Sequence, residues 1–311
     1  MTAHILFSAH ASRWDLYEAP LKEALDAAGV DYVLATQMPP EQVDYIVYAP
    51  NSDVQDFTPF TQLKAVLNLW AGVEGVVGNR TLRVPLARMV DEEGLTQGMV
   101  EWVTGHVLRH HLGMDAHIVN PDHRWDPVAP PLSHERPVTI LGMGALGRAC
   151  ARALRGLGFP VTGWSRSEKR VAHVRCLHGD EGLAQALRGA QIVVLLLPAT
   201  PQTDSILNAS SLNLLAPGAV VINPGRGPLL DDDALLQALD DGHVGHATLD
   251  VFRVEPLPQD HPFWAHPKVT VTPHIASETR PPSASRVIAE NIRRGEAGLG
   301  FLHLVDRDAG Y

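Results

Sequence analysis

The stretch "PVTILGMGALGRACARALRGLGFPVTGW" (137–164) constrains this chain more than any other. It reads as a β-branched run, a glycine-rich turn, a helix and a second strand. Gly142, Gly144 and Gly147 stand in G-x-G-x-x-G register. The first glycine allows a tight turn, the second lets the backbone approach a pyrophosphate, and the third lets helix and strand pack closely. The N–H groups at the helix N-terminus, from Met143, Ala145 and Leu146 onward, then face the anion. A preceding strand, a following helix and a further strand near residue 160 are the context that separates a dinucleotide-binding turn from a structural one. Strand, helix and strand in succession also require a parallel sheet with helices on its faces.

The same rhythm recurs on both sides. "HILFS" (4–8), "YVLA" (32–35), "YIVY" (45–48) and "AVLNLW" (65–70) read as strands, and "LYEAPLKEALDAAG" (16–29) as a helix with a glycine stop. Residues 96–113 carry apolar side chains at helical spacing and read as a long helix leading out of the first unit. Further strands follow at 160–164, 192–197, 219–223, 246–250 and 268–272, mostly β-branched, as strands buried on both faces should be. The last helical stretch, 283–298, follows a Pro-Pro pair and has no strand of its own, so we expect it to return to the first unit. The fold class is therefore α/β, with two Rossmann-like doubly wound parallel-sheet domains. Residues 1–95 plus 282–311 form a discontinuous, flavodoxin-like substrate domain. Residues 96–281 form the dinucleotide-binding domain, with the linking helix at 96–113.

Composition narrows the partners. Net charge is −10, which argues against a broad nucleic-acid or anionic-membrane surface. No apolar run approaches the roughly 18 residues a membrane helix needs. "MTAHILFSAHASRW" has no basic segment before its apolar run and reads as a first strand, not a signal peptide. Two cysteines, Cys150 and Cys176, are too few for a disulfide framework and lack metal-ligand spacing, so a reducing cytoplasm is expected. "WDPVAPPLSHERP" (125–137) reads as a surface crossing.

An NAD-binding turn usually has an acidic residue after the second strand, to hold a ribose hydroxyl. Here stand Ser165, Arg166 and Ser167. A 2′-phosphate would be repelled by a carboxylate and paired by a guanidinium, so the loop reads as a selector for NADP, with NAD as the alternative. Three further segments place chemistry just past predicted strands: Arg226 after 219–223, Asp250 and Glu255 after 246–250, and His274 after 268–272. In open α/β sheets ligands bind at the carboxyl ends of strands, so these groups share a rim with the glycine turn. A histidine backed by a carboxylate and accompanied by an arginine suits hydride transfer to a 2-keto acid. The imidazole donates the proton, the carboxylate favours imidazolium, and the arginine grips the substrate carboxylate. His106 and His110 lie at i, i+4, but no acidic base falls between them and the reaction needs no metal. With His111 and His117 they read as solvated helix face or subunit contact, and no metal site is expected. His246, His261 and His266 read as surface or packing residues, Asp231, Asp232 and Asp233 as helix caps.

Over nearly its whole length the chain resembles the D-2-hydroxyacid dehydrogenase family. The matching segments are the glycine turn, "LLPATPQT" (196–203), "NPGRG" (223–227), "DVFRVEPLP" (250–258) and "TPHIA" (272–276). Within the family it looks most like the NADPH-linked glyoxylate/hydroxypyruvate reductases, through "WSRS", Thr-Arg-Pro at 279–281 and the tail "VDRDAGY". The resemblance implies Arg226, Glu255 and His274 as catalytic residues and Asp250 near the nicotinamide carboxamide. It puts Leu197, Pro198, Thr203, Asn223, Pro224 and Gly225 along the cofactor. It also implies a homodimer. The segment Trp70-Ala71-Gly72-Val73-Glu74 departs from the usual Gly-Ala-Gly-Val-Asp of the substrate loop. The N–H groups of Ala71, Gly72 and Val73 can still bind a carboxylate, while Trp70 either lines the pocket or packs in the core. Arg280 is a further substrate-side candidate. A dinucleotide-sensing binding protein, like the C-terminal-binding-protein corepressors, and a dehydrogenase of other 2-keto acids or of phosphonate are the alternatives.

Overall fold

The apolar runs of the N-terminal third form five parallel strands in the computed structural model, which describes residues 2–311. These are β1 (Ala3–Ser8), β2 (Tyr32–Ala35), β3 (Tyr45–Tyr48), β4 (Ala65–Asn68) and β5 (Leu86–Ala87), in the order β2-β1-β3-β4-β5. This is the flavodoxin-like order. Strands β3 and β4 are buried at every position because helices and loops cover both faces. The helix Trp14–Ala27 turns Tyr17, Leu21, Ala24 and Leu25 inward. Against it lies the last helix, Pro281–Glu296. Its Ala284, Ile288, Ala289 and Ile292 join the same core layer as Ile5, Val47 and Leu67. At its end Glu296 accepts from Tyr45 Oη at 2.8 Å and Lys64 Nζ at 2.7 Å. One compact unit therefore runs to Leu95 and resumes over Glu278–Tyr311. It resumes ahead of residue 282 because Pro281 and Pro282 open the helix instead of breaking the chain before it. Proline lacks only an N–H that the first turn does not use.

The other unit, Thr96–Ser277, holds β6 (Val138–Leu141), β7 (Val161–Ser165), β8 (Arg175–His178), β9 (Ile192–Leu195), β10 (Ala219–Asn223), β11 (Val244–Leu249) and β12 (Val269–Val271). The order is β12-β11-β10-β9-β6-β7-β8, and every neighbouring pair is parallel. The winding changes direction between β6 and β9, which makes a crevice at their carboxyl ends. On one face Met99, Val103 and Val107 of the helix Gln97–His111 pack with Cys150 and Leu154 of the helix Ala145–Gly156. The opposite face is filled by Leu187, Leu235 and Leu239. Asp231 caps the helix Asp232–Asp240 by accepting from Ala234 N at 3.1 Å.

The last turn of the helix Gln97–His111 is not the solvated face expected of it. His110 and His111 are buried. His110 Nε2 meets Thr248 Oγ1 at 2.8 Å, and the His111 ring stands edge-on to Phe159. The helix packs along the sheet to its very end, so its terminal polar side chains are turned in. Among the described residues no helix is long and apolar enough to cross a membrane.

Candidate active site

The glycine turn sits between β6 and the helix Ala145–Gly156. Gly142 has φ of 110°, and a Cβ there would lie 2.3 Å from the Leu196 carbonyl oxygen. A Cβ on Gly147 would lie 1.8 Å from the Gly142 carbonyl oxygen, which is why helix and turn can touch only with glycine there. At Gly144 a Cβ would meet no protein atom within 4 Å. The glycine therefore keeps open a space outside the fold, at a helix N-terminus with no side-chain cap. These are the requirements of a bound pyrophosphate. The Met143 side chain is buried against Gly163, so only its backbone borders the turn.

After β7 the three residues of the selector loop divide. Arg166 and Ser167 are exposed, whereas Ser165 is buried and its hydroxyl donates to the Ser167 carbonyl at 2.8 Å. Ser165 thus shapes the turn and does not point a donor outward. After β9, Thr203 Oγ1 donates to the Pro198 carbonyl at 2.7 Å and closes the loop that Leu197 opens. After β10, Asn223 is fully buried. Its side chain accepts from Gly225 N at 3.1 Å and donates to the Arg226 carbonyl at 2.9 Å. Asn223 braces Pro224 and Gly225 and is not itself turned to a ligand.

The three catalytic candidates follow three adjacent strands, β10, β11 and β12, at their common carboxyl edge. His274 Nδ1 lies 2.7 Å from Glu255 Oε2, and Glu255 Oε1 accepts from Phe252 N at 2.9 Å. With Nδ1–H on the carboxylate, Nε2 is the nitrogen left to hold or give a proton. Half of the His274 side chain is exposed. Its φ is 53°, a left-handed conformation costing about 1–3 kcal/mol in a non-glycine residue. Asp250 holds that turn. Its buried carboxylate accepts from Thr272 Oγ1 (2.6 Å), Ile275 N (2.9 Å) and Ala276 N (2.9 Å), and its carbonyl from His274 N (2.8 Å). Arg226, half-buried, donates from Nη1 to the Gly225 carbonyl at 2.7 Å.

In the first unit, the loop after β4 carries Trp70, Ala71, Gly72 and Val73. Trp70 is 41% exposed and belongs to the surface, not the core. Among the described residues the N–H groups of Ala71, Gly72 and Val73 donate to no backbone carbonyl. The reason is Asn68, which sequence reasoning passed over as a strand residue. Its Nδ2 donates to the carbonyls of Trp70 (2.8 Å) and Gly72 (2.9 Å), turning the peptide oxygens in and the N–H groups away. A lone asparagine in the apolar run "AVLNLW" was the available signal. Thr279 Oγ1 donates to the Leu69 carbonyl at 3.0 Å, which fixes Arg280 beside this loop.

The two doubly wound sheets are shared with known proteins along the whole chain. Residues 105–276 match the family model for the D-isomer specific 2-hydroxyacid dehydrogenase, NAD binding domain. A glyoxylate/hydroxypyruvate reductase A of Serratia proteamaculans is 43% identical over 258 residues, 80% of this chain and 82% of that protein. Its namesake in Yersinia enterocolitica is 38% identical over 294 residues, 92% of this chain and 89% of that one. Among solved structures, a D-isomer specific 2-hydroxyacid dehydrogenase from Xanthobacter autotrophicus, in complex with NADPH and MES, superposes with a TM-score of 0.92 at 40% identity, covering 100% of both chains. An NADPH-dependent glyoxylate/hydroxypyruvate reductase from Sinorhizobium meliloti, with NADP and sulfate, gives 0.86 at 33% identity, again over 100% of both. The chain belongs to the D-isomer specific 2-hydroxyacid dehydrogenase family.

Proposed function

We propose that the protein reduces small 2-keto acids, glyoxylate and hydroxypyruvate foremost, to 2-hydroxy acids with NADPH. The observation that carries this reading is the 2.7 Å contact of His274 Nδ1 with Glu255 Oε2, at the strand edge of the sheet that also bears the glycine turn. Relatives named for these two substrates, and solved structures holding NADPH or NADP, support it. Gly142, Gly144, Gly147 and the N-terminus of the helix Ala145–Gly156 would hold the pyrophosphate, and Arg166 with Ser167 the 2′-phosphate. Bound there, the dinucleotide supplies the hydride. His274 Nε2 gives the proton to the carbonyl oxygen, and Glu255, on Nδ1, fixes the tautomer and orientation of the ring. Arg226 grips the substrate carboxylate and stabilises negative charge developing on the oxygen. Ala71, Gly72 and Val73 of the first unit offer N–H groups as a carboxylate anchor, with Trp70 and Arg280 beside them. We read the first unit as the substrate domain and the second as the dinucleotide domain.

Steady-state kinetics with glyoxylate, hydroxypyruvate and pyruvate, each with NADPH and NADH, test the reading. NADPH with the first two should give the highest kcat/KM. His274→Ala should lower kcat by about 10²–10⁴ while NADPH binding, followed by fluorescence, is kept. Full turnover in that variant overturns the assignment.

We read the working form as a homodimer. Ile118, Val119, Trp125, Val128 and Leu132 are 65–93% exposed along one crossing segment, an apolar surface that a second copy would cover. Light scattering should give twice the 33.7 kDa of one chain, and Trp125→Ser with Val128→Ser should return it to one. A wild-type monomer rejects this. The two unpaired cysteines suit a reducing cytoplasm.

A further inference from the structure

The second unit gathers another set of titratable side chains, apart from the strand ends that carry Arg226, Glu255 and His274. His110 lies in the last turn of the helix Gln97–His111. Asp115 opens the helical turn Asp115–Ile118 just beyond it, and His246 is in the amino-terminal half of β11. One ring nitrogen of each histidine and one carboxylate oxygen of Asp115 lie within 4.8 Å of one another. The two imidazoles are tilted to each other by 44°, with centroids 4.7 Å apart. Each has its Nε2 on a threonine hydroxyl, His110 on Thr248 Oγ1 at 2.8 Å and His246 on Thr270 Oγ1 at 2.9 Å. Arg109 Nε donates to Asp115 Oδ1 at 2.6 Å.

We propose that His110, Asp115 and His246 form a binding site for a divalent transition-metal ion of the zinc class, separate from the catalytic residues. Two imidazoles and a carboxylate suit Zn²⁺, Co²⁺ or Ni²⁺, whereas Mg²⁺ and Ca²⁺ prefer oxygen shells. A metal-binding histidine almost always gives its other ring N–H to an oxygen, which fixes its tautomer and aims its lone pair. The Thr248 and Thr270 hydroxyls stand in that place for both rings, leaving Nδ1 of each as the ligating atom. The Asp115 side chain is 42% exposed and can move in to a bond of about 2.0–2.2 Å. Arg109 serves as its counter-charge until a cation takes that part. Three protein ligands leave one tetrahedral position for water. The ion would clip the end of the linking helix and the turn after it to β11.

The test is calorimetric titration of the chelator-treated full-length protein with zinc chloride, with Co²⁺ absorption to report the coordination. We expect one equivalent of Zn²⁺ per chain and a zinc-dependent rise in Tm. Asp115→Asn and His246→Gln should each weaken binding about tenfold or more, while His117→Gln and His274→Ala leave it unchanged. Asp115 is half-exposed, so its variant keeps the test valid even where His246→Gln fails to fold. Absence of zinc binding to the wild type overturns the proposal, as does equal binding by both ligand variants, which would put the ion on other histidines. Loss of binding in His274→Ala would assign the ion to the catalytic histidine and overturn it as well.

Discussion

At Arg166 the chain carries a cation where an NAD-binding turn carries a carboxylate. A guanidinium on a phosphate makes charge-assisted bonds worth about 1.5–3 kcal/mol, which corresponds to roughly tenfold to a hundredfold in affinity. Arg166→Ala should therefore raise KM for NADPH by about that factor and leave KM for NADH nearly unchanged, measured in parallel with one keto acid. Equal effects on both cofactors would reduce Arg166 to a surface charge. Residues of this kind were legible in the sequence because each comes soon after a strand: Arg226, Glu255 and His274 follow three neighbouring strands at one edge. Side-chain direction was not legible. Met143 and Asn223 turn inward, and the Ser165 hydroxyl serves the Ser167 carbonyl, because contacts from Gly163 and from the local turn decide it. A motif gives a residue's place along the chain, not the neighbours that orient it.

Among the elements, the loop 70–73 depends on a residue of the strand before it. Removing the Asn68 amide leaves two peptide oxygens without their donor, at a cost of about 1–3 kcal/mol for a buried group. Asn68→Ala should lower Tm by a few degrees and raise KM for the keto acid several-fold, with NADPH affinity unchanged by fluorescence titration. An unaltered KM would mean that the loop keeps its shape by other means. The strands most readily seen from sequence were the buried ones, since "YIVY" and "AVVIN" are apolar throughout. Two of the four edge strands were missed. β5 is only two residues long, and β8, "RCLH", is half-exposed and needs no apolar face. The helix Gly179–Leu187 was missed too, because a glycine-rich start hides its short apolar face.

On the scale of the whole molecule, the buried histidines tie stability to pH. Burial pushes His110 down to about 3 and His246 down to about 4, against 6.5 when unfolded. The unfolded chain then takes up protons first, so their contribution is complete above about pH 6.5 and is lost as pH falls from there toward 3. Urea midpoints between pH 8 and pH 5 should decline with acid, and His246→Gln should flatten part of that decline. Identical slopes in both proteins would show that carboxylates alone govern it. The division of the chain has a consequence for biosynthesis. The sheet with the glycine turn uses one continuous segment, Thr96–Ser277, whereas the five-stranded sheet lacks Ala284, Ile288, Ala289 and Ile292 until the last helix is made. On the ribosome the second unit can close first. The earlier-synthesised one must wait with an apolar face uncovered, so a chain that stops near residue 277 is a substrate for chaperones and proteases before it is an enzyme.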